Sequence, residues 1–432
     1  MRTRPSSIAI VALVIAGTAA VRAPHRAVPC AADNAGLTLP PGFCATIFAD
    51  NLVAPRHMVV APNGDVLVVS SATGGGRSGR PRAPGAVTLL RDANNDGRAE
   101  VTQRIATAAG SGIALANGYL YASNGPAVVR WRYVVGSVAE LGALDTIVSG
   151  FETVGHTAFN FKIIGTTIYM NVGSRTNSCQ ERDREAKVPG VDPCVELETR
   201  AGVWTFDANK TGQKPTDGQR FATGMRNSVS LTVDPRDNTL WATMHGRDGL
   251  QAPPVGQWTF SNEYGAENPA EQVNHILKGD DFGWPYCYFS NEEHKLVTGP
   301  EYGGDGKKSA RCAGKKNPEY AFPGHWAPND MLFYSGSQFP AEYKSGAFIA
   351  FHGSWNRAPL PQQGSDIVFL PIKGGKAGPH RAFADGFAKD GGPSAYDNLL
   401  HKPTGLAQGT DGSLYVADDI AGRIYKISYK GK

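Results

Sequence analysis

Six short apolar segments of the chain share one pattern. In each, a polar turn leads into alternating β-branched, aromatic and small residues, and the segment ends in small or polar residues. The segments are residues 65–71, 118–123, 167–172, 239–244, 346–351 and 413–418. Asn or Gly precedes most of them, and these residues adopt the positive φ of a tight hairpin at little steric cost. Because one repeated supersecondary unit indicates a radial array, the pattern predicts an all-β β-propeller. We expect the residues that follow these strands to meet around a central channel.

The repeats are unevenly spaced, which predicts two long loop insertions. The excess length lies in residues 179–200 and 250–320, both rich in Gly, Pro, Asn and charged residues. Insertions in repeat proteins collect on one face, which is often the binding face. With 52 Gly and 29 Pro in 432 residues, the composition also fits a chain of many turns. The net charge is only +4, and the Lys and Arg residues are not clustered in a stripe, so a nucleic-acid partner is not indicated.

The N-terminus and the cysteines both indicate export. Arg2 and Arg4 precede a short apolar run and then small residues, which is typical of a signal peptide over residues 1–23. The run is too short to span a bilayer comfortably, so stable membrane insertion is not expected. Six cysteines in an exported chain favour disulfides, and the locally spaced pairs are Cys30–Cys44, Cys179–Cys194 and Cys287–Cys312. We therefore expect a single propeller domain over residues 24–432, with disulfide-stapled loop insertions, in the periplasm or outside the cell.

Candidate chemistry is concentrated beside the repeated strands. Arg226-Asn227, just ahead of the fourth repeat, suits an anionic or oxygen-rich ligand, although a turn with a surface Arg is an open alternative. A His-Gly pair directly follows the fourth repeat, at His245, and another follows the fifth, at His352. Each pair has an Arg close by in sequence. His156 precedes the third repeat and has no charged sequence neighbour, so by spacing alone it is a structural His.

Residues 92–97 resemble the first half of a calcium loop, with oxygen ligands at alternate positions and a turn Gly. Position twelve of that loop is Gln103 rather than Glu. An inter-strand turn is therefore favoured over an EF-hand.

Taken in order, six motifs resemble the soluble PQQ-dependent sugar dehydrogenases, particularly the L-sorbosone dehydrogenase branch. The motifs are GMRN at 224–227, LWAT at 240–243, GDDFGWP at 279–285, FHGSWNR at 351–357, KPTGL at 402–406 and DGSLYVADD at 411–419. The resemblance covers about residues 38–430 and implies a six-bladed propeller that binds pyrroloquinoline quinone (PQQ) and calcium in its central cavity.

The resemblance also implies roles for particular residues. His156 matches the family's base, which removes the hydroxyl proton of the sugar while hydride passes to the quinone. Arg226 and Asn227 match the pair that binds the quinone oxygens, with Arg226 at the reacting centre. The carbonyls of Gly246 and Arg247 match the calcium ligands. Further cofactor contacts are expected from Arg56, His352, Arg357 and Lys402.

Two departures from the glucose-oxidising members stand out. Gly155 occupies the position where those enzymes have an acidic residue to orient the base, and residues 268–274 hold one carboxylate where those members have an acidic cluster for a second calcium. The expected function is oxidation of an aldose or sorbosone-like sugar, with electrons passed to a separate cytochrome or quinone because no haem-attachment motif is present. A calcium-dependent lactonase propeller and a non-catalytic binding propeller are the alternatives.

Overall fold

The computed structural model describes residues 30–72, 83–388 and 401–431. Within them, six antiparallel sheets of four or five strands form the blades of a propeller, which confirms the predicted fold. The expected signal peptide, residues 1–23, lies outside the described residues, and the domain limits 24–432 stay a prediction.

The strands follow one another blade by blade. The first strand and blades one to three comprise β1 (Phe43–Ala49), β2 (Pro55–Val60), β3 (Val66–Ser70), β4 (Val87–Arg91), β5 (Val101–Ala106), β6 (Ile113–Ala116), β7 (Tyr119–Ser123), β8 (Ala127–Arg132), β9 (Asp145–Ser149), β10 (Phe161–Ile164), β11 (Thr167–Val172), β12 (Gly202–Asp207) and β13 (Gln219–Thr223). Blades four to six and an inserted hairpin comprise β14 (Leu231–Asp234), β15 (Thr239–Met244), β16 (Glu271–Ile276), β17 (Cys287–Ser290), β18 (Lys295–Thr298), β19 (Tyr320–Phe322), β20 (Pro328–Phe333), β21 (Gly346–Phe351), β22 (Ile367–Lys373), β23 (Lys376–Ala377), β24 (Arg381–Ala384), β25 (Pro403–Gln408), β26 (Leu414–Asp418) and β27 (Arg423–Tyr429).

Helices are short in the described ranges. The α-helix is α1 (Asn262–Glu267), and the 3-10 turns are Asn34–Gly36, Val195–Glu198, Pro215–Asp217, Pro300–Tyr302, Ala310–Cys312 and Ala341–Ser345. No helix in this part of the chain has the length and apolar character that a bilayer crossing requires.

The repeated segments of the sequence are the second strands of the six blades: β3, β7, β11, β15, β21 and β26. Each second strand has neighbouring strands on both edges and packs against the adjacent blades on both faces. Every residue of β3, β21 and β26 is therefore buried. A strand covered on both faces needs a nearly continuous apolar run, which is why these segments stand out in the sequence.

The ring is closed by the two ends of the chain. β1 pairs antiparallel with β27, with Phe43 opposite Tyr429, so the first strand forms the outer edge of blade six. The innermost strands β2, β6, β10, β14, β20 and β25 contact one another in sequence, and β25 returns to β2. Apolar clusters fill the spaces between blades, including an aromatic group around Phe43, Phe348 and Phe383.

All three expected disulfides form. Cys30–Cys44 fastens the start of the described chain to β1. Cys179–Cys194 closes the insertion after β11, and Cys287–Cys312 closes the one after β16. The two inserted loops are therefore stapled next to the strands from which they leave.

Candidate functional site

The second strand of each blade ends at the face of the propeller where the innermost strand begins. In blade one, Ser70 at the end of β3 pairs with Pro55 at the start of β2. The same arrangement pairs Phe351 with Pro328 in blade five and Asp418 with Pro403 in blade six. Residues before the inner strands and residues after the second strands therefore meet on one face, as the repeats predict.

A cavity of about 160 Å³, called the cleft below, opens on this face. Its walls come from blades three, four and five: His156, Arg184, Arg226, Asn227, His245, Gly246, Asp248, Glu271, His325, Ala327, Trp355 and Asn356. Five candidate residues from the sequence therefore lie in one cavity: His156, Arg226, Asn227, His245 and Gly246.

His156 is held in one orientation by Ser174, which follows β11. The Nδ1 atom of His156 lies 3.0 Å from the carbonyl oxygen of Ser174 and 2.9 Å from its hydroxyl oxygen. The Ser174 hydroxyl donates to the carbonyl of Thr176 at 2.6 Å, so its oxygen accepts from the imidazole. A carbonyl can only accept, and the proton therefore resides on Nδ1. Nε2 is left with a free lone pair, which is the form that a general base requires.

The imidazole of His156 is neutral over the physiological pH range. Burial, and after it the positive charge of Arg226, lower its pKa to about 2, against a partial offset from the Ser174 carbonyl. The Nε2 lone pair of His156 is consequently unprotonated at neutral pH.

Gly155 cannot carry the acidic partner found in glucose-oxidising members. Its φ is +75°, and a Cβ atom would lie 2.2 Å from the carbonyl oxygen of Arg175. Any side chain at this position would collide with that backbone. Ser174 provides the orienting contact instead. Sequence reasoning missed Ser174, although its position after a repeated strand was a usable signal.

Arg226 is buried, with 4% of its surface exposed, and its guanidinium is fixed by three neighbours. Nη1 donates to the carbonyl of Gly246 at 2.7 Å, and Nη2 contacts Asp248 Oδ2 at 3.1 Å. Nε and Nη2 donate to the backbone and side-chain oxygens of Asn177 at 3.2 and 3.0 Å. Burial lowers the pKa of Arg226, and Asp248 offsets part of that effect. The result is a rigid positive charge in the wall of the cleft.

Asn177, which follows β11 and lies two residues before the Cys179–Cys194 disulfide, joins Arg226 to Asp248. Besides receiving Arg226, Asn177 Oδ1 accepts from the Asp248 backbone N–H at 2.9 Å, and its Nδ2 donates to the Asp248 carbonyl at 3.0 Å. The side chain is 1% exposed. This residue has no distinctive sequence context, and the pattern analysis did not find it.

Two carboxylates of the cleft differ in charge. Burial alone would raise the pKa of Asp248, but Arg226, His325 and Arg184 hold it well below its usual range. Burial, together with the negative charge of Asp248, raises the pKa of Glu271 to about 8, although the hydrogen bond from the Gly246 N–H and the charge of Arg226 lower it. At neutral pH the cleft therefore holds one ionised and one mainly protonated carboxyl group.

Several oxygen atoms lie around Gly246. A Cβ atom at Gly246 would lie 2.7 Å from Pro269 Cγ, so only glycine lets the backbone pass here. Its carbonyl faces Arg226, and the carboxyl groups of Asp248 and Glu271 line the same cavity. Carbonyl and carboxylate oxygens are the ligands that Ca²⁺ prefers. The Arg247 side chain points away from the cleft and forms a buried ion pair with Glu301.

Three of the expected cofactor contacts form a second cluster, between blades one, five and six. Arg56 Nη1 lies 2.7 Å from Asp419 Oδ2, and His352 Nε2 lies 2.9 Å from Asp419 Oδ1. The Asp419 N–H donates to the carbonyl of Lys402 at 3.3 Å. Burial opposes ionisation of Asp419, but His352 and Arg56 lower its pKa. Arg56 Nε is buried without a hydrogen-bond partner among the described residues, which fits a site for an anionic ligand.

Arg357 is engaged by the protein itself. It is fully buried, and Nη1 donates to the carbonyls of Ala266 and Gly324 at 2.8 and 2.7 Å. Nη2 contacts Glu267, and Nε donates to Pro361. A cofactor contact by Arg357 stays a prediction, and it would require some of these bonds to break.

Residues 92–97 lie between β4 and β5, in the inter-strand turn that the sequence favours. Asp92 accepts hydrogen bonds from the N–H groups of Asp96 and Gly97 at 3.0 and 2.8 Å. These bonds explain why an oxygen-bearing side chain stands at the start of this turn. The carboxyl groups of Asp92, Asp96 and Glu100 lie within 4.8 Å of one another.

Fold and cleft together define a six-bladed propeller with a basic, histidine-bearing cavity on the face where its inner strands begin. The chain belongs to the TrAA12-like family, whose model matches residues 37–430. This membership confirms the resemblance to PQQ-dependent sugar dehydrogenases.

Two curated proteins are related to this chain in sequence. A pyrroloquinoline quinone-dependent pyranose dehydrogenase of Coprinopsis cinerea is 26% identical over 428 residues, covering 89% of this chain and 54% of that protein. An uncharacterized protein of Borreliella burgdorferi is 31% identical over 211 residues, covering 48% of each chain. The chain thus spans about half the length of the curated relatives it matches.

Among solved structures, the holo PQQ domain of the C. cinerea pyranose dehydrogenase superposes with a TM-score of 0.72 at 22% identity, covering 91% of this chain and 97% of that one. At this identity the superposition supports the fold alone.

Proposed function

We propose that this protein oxidises a sugar by transfer of hydride to calcium-bound PQQ, with His156 as the base. The observation that carries the proposal is the neutral His156, fixed by Ser174, with Nε2 unprotonated beside the buried Arg226. Family membership supports the cofactor, and the sugar class follows from the names of the relatives. An aldose or a sorbosone-like sugar is the proposed substrate.

The residues of the chain have separate tasks in this reaction. Bound PQQ would supply the hydride-accepting quinone, and calcium would polarise it. His156 Nε2 takes the proton of the substrate hydroxyl, and Ser174 stabilises the imidazolium that results by accepting from Nδ1. Arg226 and Asn227 bind anionic or carbonyl oxygens in the cleft, and Arg226 is held ready by Asn177 and Asp248. Because these donors are already in place, they need little reorganisation when charge develops.

The cofactor ligands are proposed in two groups. The carbonyls of Gly246 and Arg247 would hold the calcium ion, supported by the oxygen-rich surroundings of Gly246. Arg56, His352 and Lys402, with Arg226 and Asn227, would bind the carboxylates and ring oxygens of the quinone.

Export and electron transfer complete the proposal. Three disulfides support an oxidising compartment, periplasmic or extracellular. Electrons would leave through a separate cytochrome or quinone.

The test reconstitutes the chain without residues 1–23. Metal is stripped, PQQ and calcium are added singly and together, and reduction of an electron-accepting dye is followed with a panel of aldoses and keto-aldoses. We expect turnover only with both additions, and a fall in kcat of roughly 10²- to 10⁴-fold in His156→Ala, the usual contribution of a general base. His294→Ala, in the exposed turn between β17 and β18, is the matched control and should retain full activity.

Cofactor affinity is measured separately by fluorescence titration with PQQ. His156→Ala should bind PQQ nearly as well as the parent, because the loss concerns proton transfer. Failure of the parent protein to bind PQQ would overturn the assignment and favour a lactonase or a binding propeller.

A further inference from the structure

A second cavity of about 420 Å³ continues from the cleft between blades four and five. We call it the Trp355 groove. Arg184, Asp248, Trp355 and Asn356 line both cavities, and the far wall of the groove comes from the loop 249–257. Small-molecule sites usually enclose roughly 300–1,000 Å³, so the cleft alone is small and the groove enlarges it substantially. A ligand that reacts beside His156 can therefore extend into the groove.

A strip of polar side chains runs along the boundary between the two cavities. Asp248 Oδ2 accepts from Arg184 Nη2 at 3.0 Å, and its Oδ1 accepts from Asn356 Nδ2 at 3.2 Å. Each donor group has further hydrogens, since an amide NH₂ carries two and a guanidinium five. The Arg184 side chain is 45% exposed and lines the groove, so part of it is accessible to a ligand there. The strip offers planar donors and an acceptor to a ligand with several hydroxyl groups.

Exposed apolar surface lies beside this strip. Trp355 is 54% exposed and Val255 is 65% exposed, although both are large apolar residues. Neighbouring exposed apolar groups at a cavity commonly mark a binding surface. An indole offers a large, rigid contact area at low entropic cost. An apolar face next to a row of planar polar groups matches a sugar ring, which has one C–H face and a rim of hydroxyls.

We propose that the Trp355 groove binds the second ring of a di- or oligosaccharide whose first ring is oxidised in the cleft. The inference rests on the proposed sugar oxidation and names its substrate class. Trp355 stacks on the C–H face of the second ring, while Arg184, Asp248 and Asn356 bind its hydroxyls. The ring adjacent to the reacting one thus contributes affinity without taking part in the chemistry.

The first test is kinetic and uses the PQQ- and calcium-loaded chain. Glucose is compared with cellobiose, maltose and lactose, which have glucose as their reducing ring. We expect at least one two-ring sugar to show a KM about tenfold below that of glucose, which corresponds to about 1.4 kcal/mol. Val255→Trp should remove this advantage by filling the groove, so that the KM values of the two-ring sugars rise to about that of glucose. Val134→Trp, at a 69% exposed site in the loop after β8, is the matched control and should keep the preference.

The second test needs no turnover. Calorimetry on the PQQ-free chain compares methyl β-cellobioside with methyl β-glucoside, and we expect the two-ring glycoside to bind more tightly in the parent and in Val134→Trp but not in Val255→Trp. Equal affinity for one-ring and two-ring glycosides would overturn the inference. So would a two-ring preference that survives in Val255→Trp. If the binding preference behaves as expected but no sugar reduces the dye, the groove assignment stands and the proposed oxidation fails.

Discussion

Asn177→Ala tests whether the stapled loop after β11 holds the cleft in shape. The substitution removes three side-chain hydrogen bonds, one to the charged Arg226 and two to the backbone of Asp248. A hydrogen bond to a charged group contributes about 1.5–3 kcal/mol and a neutral one about 1 kcal/mol, so we expect a loss of roughly 3–5 kcal/mol in the free energy of unfolding. At an unfolding entropy of about 2.1 cal/mol/K per residue, this corresponds to a melting temperature lower by roughly 5 °C.

The same substitution should weaken cofactor binding. Arg226 keeps its contacts to Gly246 and Asp248 but loses one charge-assisted bond, so its guanidinium is less firmly placed. If the whole free energy of that bond is lost from cofactor binding, the Kd for PQQ rises by about 10- to 100-fold. The assays are a fluorescence titration with PQQ and differential scanning calorimetry of the PQQ-free protein.

Gln213→Ala is the matched control for Asn177→Ala. Gln213 is also a buried amide of the third-blade region, and its side chain bonds to the backbone of Asp207, Lys210 and Ile147 outside the cleft. It should lose comparable stability and keep the Kd for PQQ. Equal Kd values for both variants and the parent would refute the role assigned to Asn177. A Kd raised equally in both would show that general destabilisation, not the placement of Arg226, weakens binding.

Two further predictions concern His156. Ser174→Ala should lower kcat by about 2- to 12-fold with KM little changed, because the lost hydroxyl contact contributes about 0.5–1.5 kcal/mol. The loss is limited because the backbone carbonyl of residue 174 still accepts from His156 Nδ1–H. An unchanged kcat, or a loss beyond a hundredfold, would contradict this assignment of the contacts. The pKa of His156 is about 2 in the folded chain and near 6.5 in the unfolded chain, so the unfolded state takes up a proton first as the pH falls. The free energy of unfolding therefore decreases as the pH falls below 6.5. The free energy of unfolding is measured by urea titration at pH values between 7 and 4 for the parent and for His156→Asn. Its change per pH unit should be smaller by about 1 kcal/mol in the variant. Identical pH dependences would disprove the buried, neutral state of His156.

The fold could be predicted from sequence because the second strands are covered on both faces. Burial leaves β21 and β26 no polar side and gives them a recognisable apolar run. Some outer strands are partly exposed and lack such a run, as in β5, where residues 102–104 face solvent. The outer strand of the sixth blade, β1, lies at the other end of the chain from the rest of that blade. No local pattern reveals this pairing.

The site was predictable only in part. His156 and Arg226 match family motifs, and the structure brings them into one cavity. Ser174 and Asn177 act through hydrogen bonds made across loops. The position of Ser174 directly after a repeated strand could have drawn attention to it, but nothing in the sequence shows which group either side chain contacts. Arg357 lies in a family motif, yet four of its five guanidinium N–H groups donate to protein oxygens. A motif identifies residues but does not show where a long side chain points.

The closure of the ring by β1 and β27 makes the site depend on both ends of the chain. Arg56 of blade one and Asp419 of blade six are 363 residues apart in sequence and meet only when the ring is shut. Contacts at such separation form late, after the entropy of a long loop has been overcome. A chain that has lost either end cannot form the Arg56–Asp419 contact. If PQQ binds against this cluster, as proposed, cofactor binding would report that the ring is closed.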